Sequence, residues 1–577
     1  MCDKRMLAFS PRQHPHPRSP GPYGRALLAP SVAIWRRVQG LEAHLLCDAV
    51  GGLRTVDWSN LSYPFLRGAY LEHRFHSALL DAVCPSGERG DMDPSSTEMV
   101  ALEAGEGGGG KLSAEALEME ERETFLTRGW RQANFAPSLV EVHSSVKWPE
   151  AGSPWYKKVL ALVGLGFMIS VAYMDPGNWA TDLEGGAKYG YTLLTVILLS
   201  NLCAIFLQSL SLKLGVVAER DLAQACRDAY PKYVVYFLWV IIEIAIAATD
   251  LAEVIGSATA LYLLFKIPIW AGVLITAVDT LFILVFGIRS FRFLEFIVGG
   301  MAFLIAGIFA YELAVVKPEW SKVAKGLVPD PIILQDASML YTAIGILGAT
   351  VMPHSLFLHS SIIQTRAYPR TKEGKKMAIK YGRWDSSVSL MLAFFVNSSI
   401  LILAAAAFYY GPNPNRDVAN ITDAYELLAP ALGSQAAKIL FGVGLLASGQ
   451  NSTIIGTLAG QIVMEGFLKI RVKPWIRRSI TRGIAVIPAT IVAAVGGNAG
   501  AGRLLVMSQV LLSLTLSFAV IPLVHFTSST AKMGPSFVNG RIVKVVACLV
   551  ATIIAGLNIF LLFQSIKQNE FGSSSGV

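Results

Sequence analysis

Charged residues are scarce in this sequence, and their scarcity argues against an ordinary soluble protein. Asp, Glu, Lys and Arg make up 16% of the 577 residues, whereas a soluble domain carries about a quarter. Hydrophobic residues reach 53%, and the mean hydropathy is +0.49. From Trp155 onward they form runs of about 20 residues, long enough to cross a bilayer. We therefore predict an all-α polytopic membrane protein, with the lipid bilayer as its partner.

Clustered cysteines and enzyme motifs are also missing. The six cysteines occur singly, without a CxxC pair, and so predict neither a disulfide framework nor a thiolate metal site. The glycine run at 107–110 imitates a phosphate-binding loop, but Leu112 stands where that loop needs Ser or Thr. No HExxH motif or nucleophile–base pair accompanies the apolar runs. We expect no enzymatic activity and no resident cofactor.

Residues 1–154 differ in composition from the rest of the chain. The first thirty are rich in Pro, Arg and His, and residues 98–123 carry many glutamates. This mixture predicts a largely disordered cytoplasmic region with a short helix at Ser113–Phe125. The Arg-rich start also fits an organelle-targeting segment, a solvated tail or a start codon assigned too far upstream. We expect residues 155–567 to form the membrane domain and residues 568–577 a short tail.

The apolar runs predict eleven membrane spans: 158–181, 191–214, 233–263, 267–288, 293–316, 338–364, 384–410, 435–467, 480–496, 503–527 and 542–566. Basic residues concentrate in alternate loops, as in "TRAYPRTKEGKKMAIKYGR" and "KIRVKPWIRRSITR". The positive-inside rule places these loops and the N-terminus in the cytoplasm, and the odd number of spans places the C-terminus outside or in a lumen. The net charge of +8 is thus explained by topology, so we expect no nucleic-acid partner. Plasma membrane and endomembrane both remain open.

Span 1 is interrupted by Asp175, Pro176, Gly177 and Asn178. Proline removes a backbone donor and glycine permits non-helical angles, so the helix should break here. A structural interpretation is a proline kink that Asp and Asn cap. An ionisable side chain inside a span, however, indicates a functional site.

Span 6 contains a second interruption, at Met352, Pro353 and His354. If spans 1–5 and 6–10 are two repeats, the two breaks occupy corresponding positions. Paired broken helices in matching halves point to a transporter with its binding site near the membrane midplane.

The residues at the two breaks indicate which substrate they would bind. Asp175 offers a charged oxygen, Asn178 a neutral oxygen, the unwound backbone at Ala349 a carbonyl, and Met352 a thioether. Mg²⁺ and Ca²⁺ prefer all-oxygen ligands, whereas a thioether adds affinity for softer transition metals. This donor set favours Mn²⁺ or Fe²⁺, with Cd²⁺ and Co²⁺ as further substrates.

The segments "MDPGNWAT", "GGAKYGYTLL" and "GATVMPHSLFLHS" resemble the natural resistance-associated macrophage protein (Nramp) family of proton-coupled divalent metal transporters. The resemblance extends from about Tyr156 to Lys567 and implies a LeuT-like fold: two inverted five-helix repeats and an eleventh helix. It implies metal coordination by Asp175, Asn178, the Ala349 carbonyl and Met352. It adds Gln509 in span 10 and Asn397 in span 7. Ser355 departs from the family, which usually has Asn there, and this departure bears on transport rate or conformational coupling more than on metal choice.

Three carboxylates in span 3, Glu243, Asp250 and Glu253, lie on one helical face because they are seven and three residues apart. Carboxylates in hydrocarbon need ion partners or a water-filled route. Candidate partners are three arginines at the start of span 9: Arg477, Arg478 and Arg482. A static buried ion network is one interpretation. The family resemblance favours Asp250 and Glu253 as a proton route, with Glu243 as a further candidate.

Two histidines lie at and after the second break: His354 is part of the break, and His359 follows five residues later. Histidine changes charge in mildly acidic surroundings and can transfer protons, although a buried one is also commonly a hydrogen-bonded structural residue. We expect both to serve proton transfer, His354 above all. The expected function is proton-coupled uptake of Mn²⁺ and Fe²⁺ into the cytoplasm by a monomeric transport unit. The alternatives are a Na⁺-coupled organic-substrate symporter of similar fold, which needs no methionine at the break, and a sensor that does not transport.

Overall fold

The computed structural model describes residues 129–131, 139–150, 152–286, 291–411, 421–432, 435–470 and 474–572, without the side chains of some helical residues. The predicted helix at 113–125 therefore lies outside the described residues. Within the described ranges the chain is helical, and its only β-type pairing is an isolated bridge between Val146 and Arg366.

Each of the eleven predicted spans coincides with a helix. Span 1 is divided into three pieces and span 6 into two. Spans 9 and 10 are two helices that follow each other directly and are separated by non-helical backbone at Gly497 (φ 57°, ψ −148°). In chain order the span helices are Trp155–Leu162, Leu165–Val171 and Pro176–Tyr189 (span 1), Leu194–Ala218, Lys232–Phe265, Ile269–Phe286, Phe291–Val316, Ala337–Thr350 and Pro353–Ile362 (span 6), Lys372–Ala404, Gln435–Leu468, Pro474–Thr527 (spans 9 and 10) and Arg541–Gly572.

Short helical segments connect the spans or extend them. They are Val140–Val142, Leu222–Ala229, Trp320–Gly326, Ile332–Gln335, Ile363–Thr365, Ala405–Tyr409, Ile421–Leu432 and Thr530–Met533. Leu222–Ala229 begins with a capping box, in which Asp221 and Gln224 each satisfy the other's backbone N–H.

Length and hydropathy support the membrane assignment. Among the described residues, eight helices are long and apolar enough to cross a bilayer, and span 1 adds a pair bent by 57° between Trp155–Val171 and Pro176–Tyr189. The apolar part of span 9, Ile480–Val495, is shorter. Large hydrophobic side chains such as Ile542 and Val545 in span 11 point outward and are exposed, which suits contact with lipid rather than water.

Burial distinguishes the inner spans from the outer ones. In span 6, 94% of the most apolar window is buried inside the protein, compared with 17% in span 11. The broken helix of span 6 therefore lies in the interior of the bundle, surrounded by protein. Unwound backbone at membrane depth is tolerated only in such surroundings.

The described part of the N-terminal region packs against the membrane domain. The N–H of Val146 donates to the carbonyl of Thr365, and the N–H of Ala367 donates to the carbonyl of Val146. Trp130 lies beneath two cations, the guanidinium of Arg220 and the ammonium of Lys532, at 4.8 and 4.4 Å from its ring centroid. These contacts join residues 129–131 and 139–150 to the ends of the spans.

Span 1 has an additional interruption near its start, at Gly164 (φ 113°), a conformation that favours glycine. A Cβ on Gly164 would lie 2.7 Å from Glu295 Oε2. Glu295 also bridges Arg292 and Arg366, at 3.0 and 2.7 Å. The guanidinium of Arg292 donates to three carbonyls at the interruption, those of Leu160, Ala161 and Val163. The beginning of span 1 is thus held against span 5.

Candidate metal site between the two broken helices

The two side-chain oxygens of Asp175 have different surroundings. Oδ1 accepts from the backbone N–H of Asn178 at 2.9 Å and from its Nδ2 at 2.8 Å, and so caps the half-helix Pro176–Tyr189. Oδ2 is buried and has no hydrogen-bond partner among the described residues. Helix capping therefore accounts for one oxygen. The other is a buried acceptor, which is costly unless something satisfies it.

Side chains of spans 1, 7 and 8 satisfy the backbone carbonyls at the first break. Asn397 Nδ2 donates to the carbonyl of Tyr173 at 2.9 Å. The carbonyl of Met174 accepts from Trp179 Nε1 at 3.2 Å and from Ser448 Oγ at 2.5 Å. The other amide atom of Asn397, Oδ1, is buried and has no partner among the described residues. Span 7 thus brings a second unpaired oxygen to the break.

The second break contains a carbonyl without its helical donor and a buried thioether. Met352 is fully buried and extended (φ −85°, ψ 133°), between the half-helices Ala337–Thr350 and Pro353–Ile362. Proline at 353 has no N–H, so the carbonyl of Ala349 lacks its usual partner four residues later. Both predicted ligands of this half are therefore buried and lie three residues apart in the chain.

Gln509 of span 10 lies between the two breaks. A Cβ on Gly177 would lie 1.9 Å from Gln509 Nε2, and a Cβ on Gly348 would lie 2.7 Å from the Gln509 carbonyl. A Cβ at position 348 would meet the Gln509 backbone, so that position requires glycine, whereas a Cβ at position 177 would force the Gln509 side chain to move. Oε1 of Gln509 is buried and has no partner among the described residues. The two broken helices thus both pack against Gln509, in a region where three spans bring oxygens that are unpaired within the described ranges.

This arrangement can hold a divalent cation. It combines one carboxylate, amide and carbonyl oxygens, and one thioether, a mixed set that suits a transition metal of intermediate softness. Among the described residues no three His, Cys, Asp or Glu side chains cluster as a metal site. The site therefore differs from the multi-carboxylate and histidine sites that hold resident metals. A single charged ligand suits a cation that must also leave.

Asp250 and Glu253 are fully buried and face span 8 together. A Cβ on Gly456 would lie 2.7 Å from Glu253 Oε1 and 3.6 Å from Asp250 Oδ1. Arg482 Nη1 lies 3.4 Å from Glu253 Oε2 and donates to the carbonyl of Asp250 at 3.4 Å. Of the three candidate arginines, Arg482 is the one seen at this pair. The side chains of Arg477 and Arg478 lie outside the described residues.

Span 3 also touches both breaks. A Cβ on Gly256 would lie 2.1 Å from Pro176 Cβ, so span 3 packs directly against the first break. At the second break, His354 Nδ1 lies 3.4 Å from Thr249 Oγ1, the residue that precedes Asp250 in span 3. The acidic pair therefore borders the candidate metal site.

Glu243 and His359 lie apart from this acidic pair. Glu243 is half-buried and accepts from Trp239 Nε1 at 3.2 Å. It precedes Asp250 by seven residues, about 10 Å along the helix. His359 Nδ1 lies 3.0 Å from Gln208 Oε1. The structure does not bring either residue together with Asp250 and Glu253.

His359 instead belongs to a hydrogen-bonded cluster that joins spans 1, 2 and 6. Gln208 Nε2 lies 2.8 Å from both Tyr173 Oη and Ser355 Oγ. Ser355 donates to the carbonyl of Met352 at 2.7 Å. The residue that departs from the usual family pattern thus satisfies a carbonyl of the second break.

Other buried polar groups were not predicted from the sequence. Asp182 is buried, and its Oδ2 has no partner among the described residues. It follows Asp175 by seven residues, and this spacing in the sequence places both side chains on one helical face. Glu312 in span 5 is buried, and neither of its oxygens has a partner in the described ranges. Pro176 removes the donor for the carbonyl of Ala172, just as Pro353 does for Ala349. The spacing of Asp182, the acidic residue Glu312 within span 5 and the proline at 176 were all visible in the sequence. Nothing in the sequence indicated that Gln208 would join spans 1, 2 and 6.

These features define a class of protein: an all-helical membrane transporter with two discontinuous spans whose breaks meet in the interior. Residues 166–564 match the family described as natural resistance-associated macrophage protein-like. The chain therefore belongs to the Nramp family.

Curated relatives and solved structures agree with this assignment. The divalent metal cation transporter MntH of Listeria welshimeri is 54% identical over 449 residues, covering 78% of this chain and 99% of that protein. The protein of the same name from Nostoc sp. is 55% identical over 430 residues, covering 74% and 96%. A crystal structure of the Eremococcus coleocola manganese transporter aligns with a TM-score of 0.69 at 40% identity, covering 74% and 90%.

These comparisons bear on three predictions. The resemblance is confirmed, and the relatives are named as transporters rather than enzymes. The fold class is confirmed too, because the helix order, the paired breaks and the aligned manganese transporter agree with it.

Proposed function

We propose that this protein is a proton-coupled secondary transporter that moves divalent transition-metal ions into the cytoplasm. Its substrates would be Mn²⁺ and Fe²⁺, with Cd²⁺ and Co²⁺ as further ions. The observation that carries this proposal is the buried Oδ2 of Asp175, which has no partner in the described part of the chain, at a break that packs against the same Gln509 as the half-helix before Met352. The names of the relatives support the substrate class.

The proposed ligands are the carboxylate of Asp175, the amide oxygen of Asn178, the carbonyl of Ala349 and the sulfur of Met352. The amide oxygens of Gln509 and Asn397, both unpaired among the described residues, complete the set. Mg²⁺ holds its water tightly and demands oxygen ligands, so a thioether in the shell disfavours it relative to Mn²⁺. All these residues belong to one chain, so a monomer suffices as the transport unit.

Proton coupling would begin at Asp175, which binds metal when ionised and loses affinity when protonated. Metal entry would then release a proton towards the bordering pair, Glu253 and Asp250. His354 Nδ1 lies 3.4 Å from Thr249 Oγ1, and Thr249 precedes Asp250 in span 3, so His354 would exchange protons with Asp250. Arg482 at Glu253 would stabilise the ionised form of that carboxylate.

The driving force follows from the charge of the cargo. A membrane potential that is negative inside contributes about 2.3 kcal/mol per elementary charge per 100 mV. An inward proton gradient adds to it if protons accompany the metal. Both favour net movement towards the cytoplasmic side.

Uptake into proteoliposomes tests the metal assignment, with Mn²⁺, Fe²⁺, Cd²⁺ and Mg²⁺ compared in wild type and Met352→Ala. Loss of the thioether should reduce the preference for Mn²⁺ and Cd²⁺ over Mg²⁺ by about tenfold, an effect of about 1.4 kcal/mol. A control variant is Met391→Ala, because Met391 lies in span 7 on a lipid-exposed face.

Three outcomes would contradict the proposal. The first is unchanged metal preference in Met352→Ala. The second is uptake that requires Na⁺ and an organic solute with no response to Mn²⁺, which would favour the organic-substrate symporter. The third is a wild-type protein that binds Mn²⁺ but moves none, which would favour the sensor.

A further inference from the structure

A basic cavity lies away from the two breaks. Its volume is about 410 Å³, and it opens where the end of span 2, the start of span 7 and the loop between spans 10 and 11 meet. Its lining consists of Lys213, Lys376, Ile379, Lys380, Arg383, Trp384, Ser536, Phe537 and Val538. Four of these residues are cationic, and this lining includes no Asp or Glu. Nothing in the proposed transport cycle uses them.

The cations in this cavity lack acidic neighbours in its lining. Arg383 is half-buried, and its Nε is buried without a hydrogen-bond partner among the described residues. Lys213 is buried, and its Nζ donates at 2.8 Å to Asn539 Oδ1, a neutral acceptor. Lys376, Lys380 and Arg383 share one helical face because they are four and three residues apart. Like charges at these helical spacings repel one another, and a bound anion would relieve the repulsion.

The cavity opens beside a lipid-facing surface. Trp384, in its lining, is 63% exposed, and tryptophan favours the membrane–water interface. The same helix continues with exposed apolar side chains at four-, three- and four-residue steps: Val388, Met391 and Phe395. This spacing makes one continuous stripe along span 7. A molecule with an anionic head in the cavity could lay a hydrocarbon chain along that stripe.

We propose that this cavity binds the phosphate headgroup of an anionic phospholipid. The ammonium groups of Lys376 and Lys380 and the guanidinium of Arg383 would donate to phosphate oxygens, which are strong acceptors for such donors. Basic pockets between helices on the cytoplasmic side bind anionic lipids in this way, and the positive-inside prediction puts this cavity on that side. The apolar stripe favours a lipid over a free phosphate ion.

Native mass spectrometry of the purified full chain provides the test, with phosphatidylglycerol and phosphatidylcholine titrated in parallel. The variant carries Lys376→Gln, Lys380→Gln and Arg383→Gln. Its affinity for phosphatidylglycerol should fall by about tenfold, or about 1.4 kcal/mol, and its affinity for phosphatidylcholine should not change. The matched control carries Lys157→Gln, Lys158→Gln and Lys232→Gln, which remove three cations from the same predicted side of the membrane but outside the cavity.

Further arms of the experiment distinguish a bound lipid from a bound free anion. Equal retention of phosphatidylglycerol by the cavity variant and wild type would overturn the proposal, as would an equal loss in the control. Inorganic phosphate that displaces the lipid completely would assign the cavity to a free anion. Trp384→Ser keeps every cation, so it should weaken the binding of phosphatidylglycerol but not the binding of inorganic phosphate. If the triple variant fails to fold, Arg383→Gln alone decides the result.

Discussion

Asp175 shows how one side chain serves both structure and chemistry. Its Oδ1 caps a half-helix through Asn178, and its Oδ2 stays unpaired among the described residues of the protein interior. A cap needs an acceptor, whereas a cation needs a negative charge. Aspartate at this position supplies both.

Asp175→Asn separates these two roles. Asparagine is as good an N-cap as aspartate, so the stability of the protein should change by less than about 1 kcal/mol. Loss of the charge should lower Mn²⁺ uptake by about a hundredfold, equivalent to about 3 kcal/mol. Thermal unfolding in detergent and uptake into proteoliposomes measure the two effects. Normal uptake by a folded variant would remove Asp175 from the ligand set.

Asp250→Asn tests the acidic pair in span 3. Because Asp250 and Glu253 border the first break, neutralising one should lower proton uptake to near the level of empty vesicles. Metal movement down its own gradient should persist. A pH-sensitive dye inside the vesicles measures the proton flux. Glu243→Gln provides the comparison on the same helix, and its separate contact with Trp239 predicts a smaller effect. Undiminished proton flux in Asp250→Asn would exclude that residue from the route.

At the scale of helices, both broken spans owe their shape to the same local chemistry. Proline ends hydrogen bonding from the preceding turn, and an extended residue, Asp175 or Met352, begins the next half-helix. What brings the halves together is close packing against span 10. Small residues at contact points permit it: Gly177 and Gly348 approach the side chain and the backbone of Gln509.

Gly177→Ala tests this packing. Its Cβ would lie 1.9 Å from Gln509 Nε2, so Gln509 or the half-helix must move. Overpacking of this kind costs about 1–3 kcal/mol, and we expect Mn²⁺ uptake to fall by about tenfold. Gly345→Ala is the matched control on span 6, because its Cβ would meet Thr181 Cγ2 at an ordinary 3.6 Å. Equal uptake by both variants would show that the contact does not limit transport.

At the scale of the whole molecule, the bundle places span 6 inside and span 11 at the periphery. Residues 129–131 and 139–150 pack against the ends of the spans through a backbone pairing at Val146 and a cation–π cluster at Trp130. Those contacts show where the described part of the N-terminal region lies on the domain. The sidedness of the whole arrangement still follows from the charge of the loops alone.

Impermeant thiol labelling tests that sidedness. In a cysteine-free background, Lys372→Cys should react only after cells are permeabilised, because it lies in the basic loop between spans 6 and 7. Lys322→Cys, between spans 5 and 6, should react in intact cells. Both positions are exposed, so access decides the result. The reverse pattern would invert the predicted topology and the predicted direction of uptake.

The sequence by itself determined the number and positions of the spans and the location of both breaks. Hydrophobic length decides what crosses a bilayer, and Pro with Gly decides where a helix ends; both are local properties. The donor types at the breaks, including Asp175 and Met352, were readable for the same reason.

Only the tertiary structure decided which side chains meet. Helical periodicity placed Glu243, Asp250 and Glu253 on one face. The packing of spans 8 and 9, however, brings only Asp250 and Glu253 together with Arg482 among the described contacts. Two histidines five residues apart received different partners, Thr249 for His354 and Gln208 for His359. A periodic pattern fixes the direction of a side chain, but its neighbour comes from a distant part of the chain, and only packing brings the two into contact.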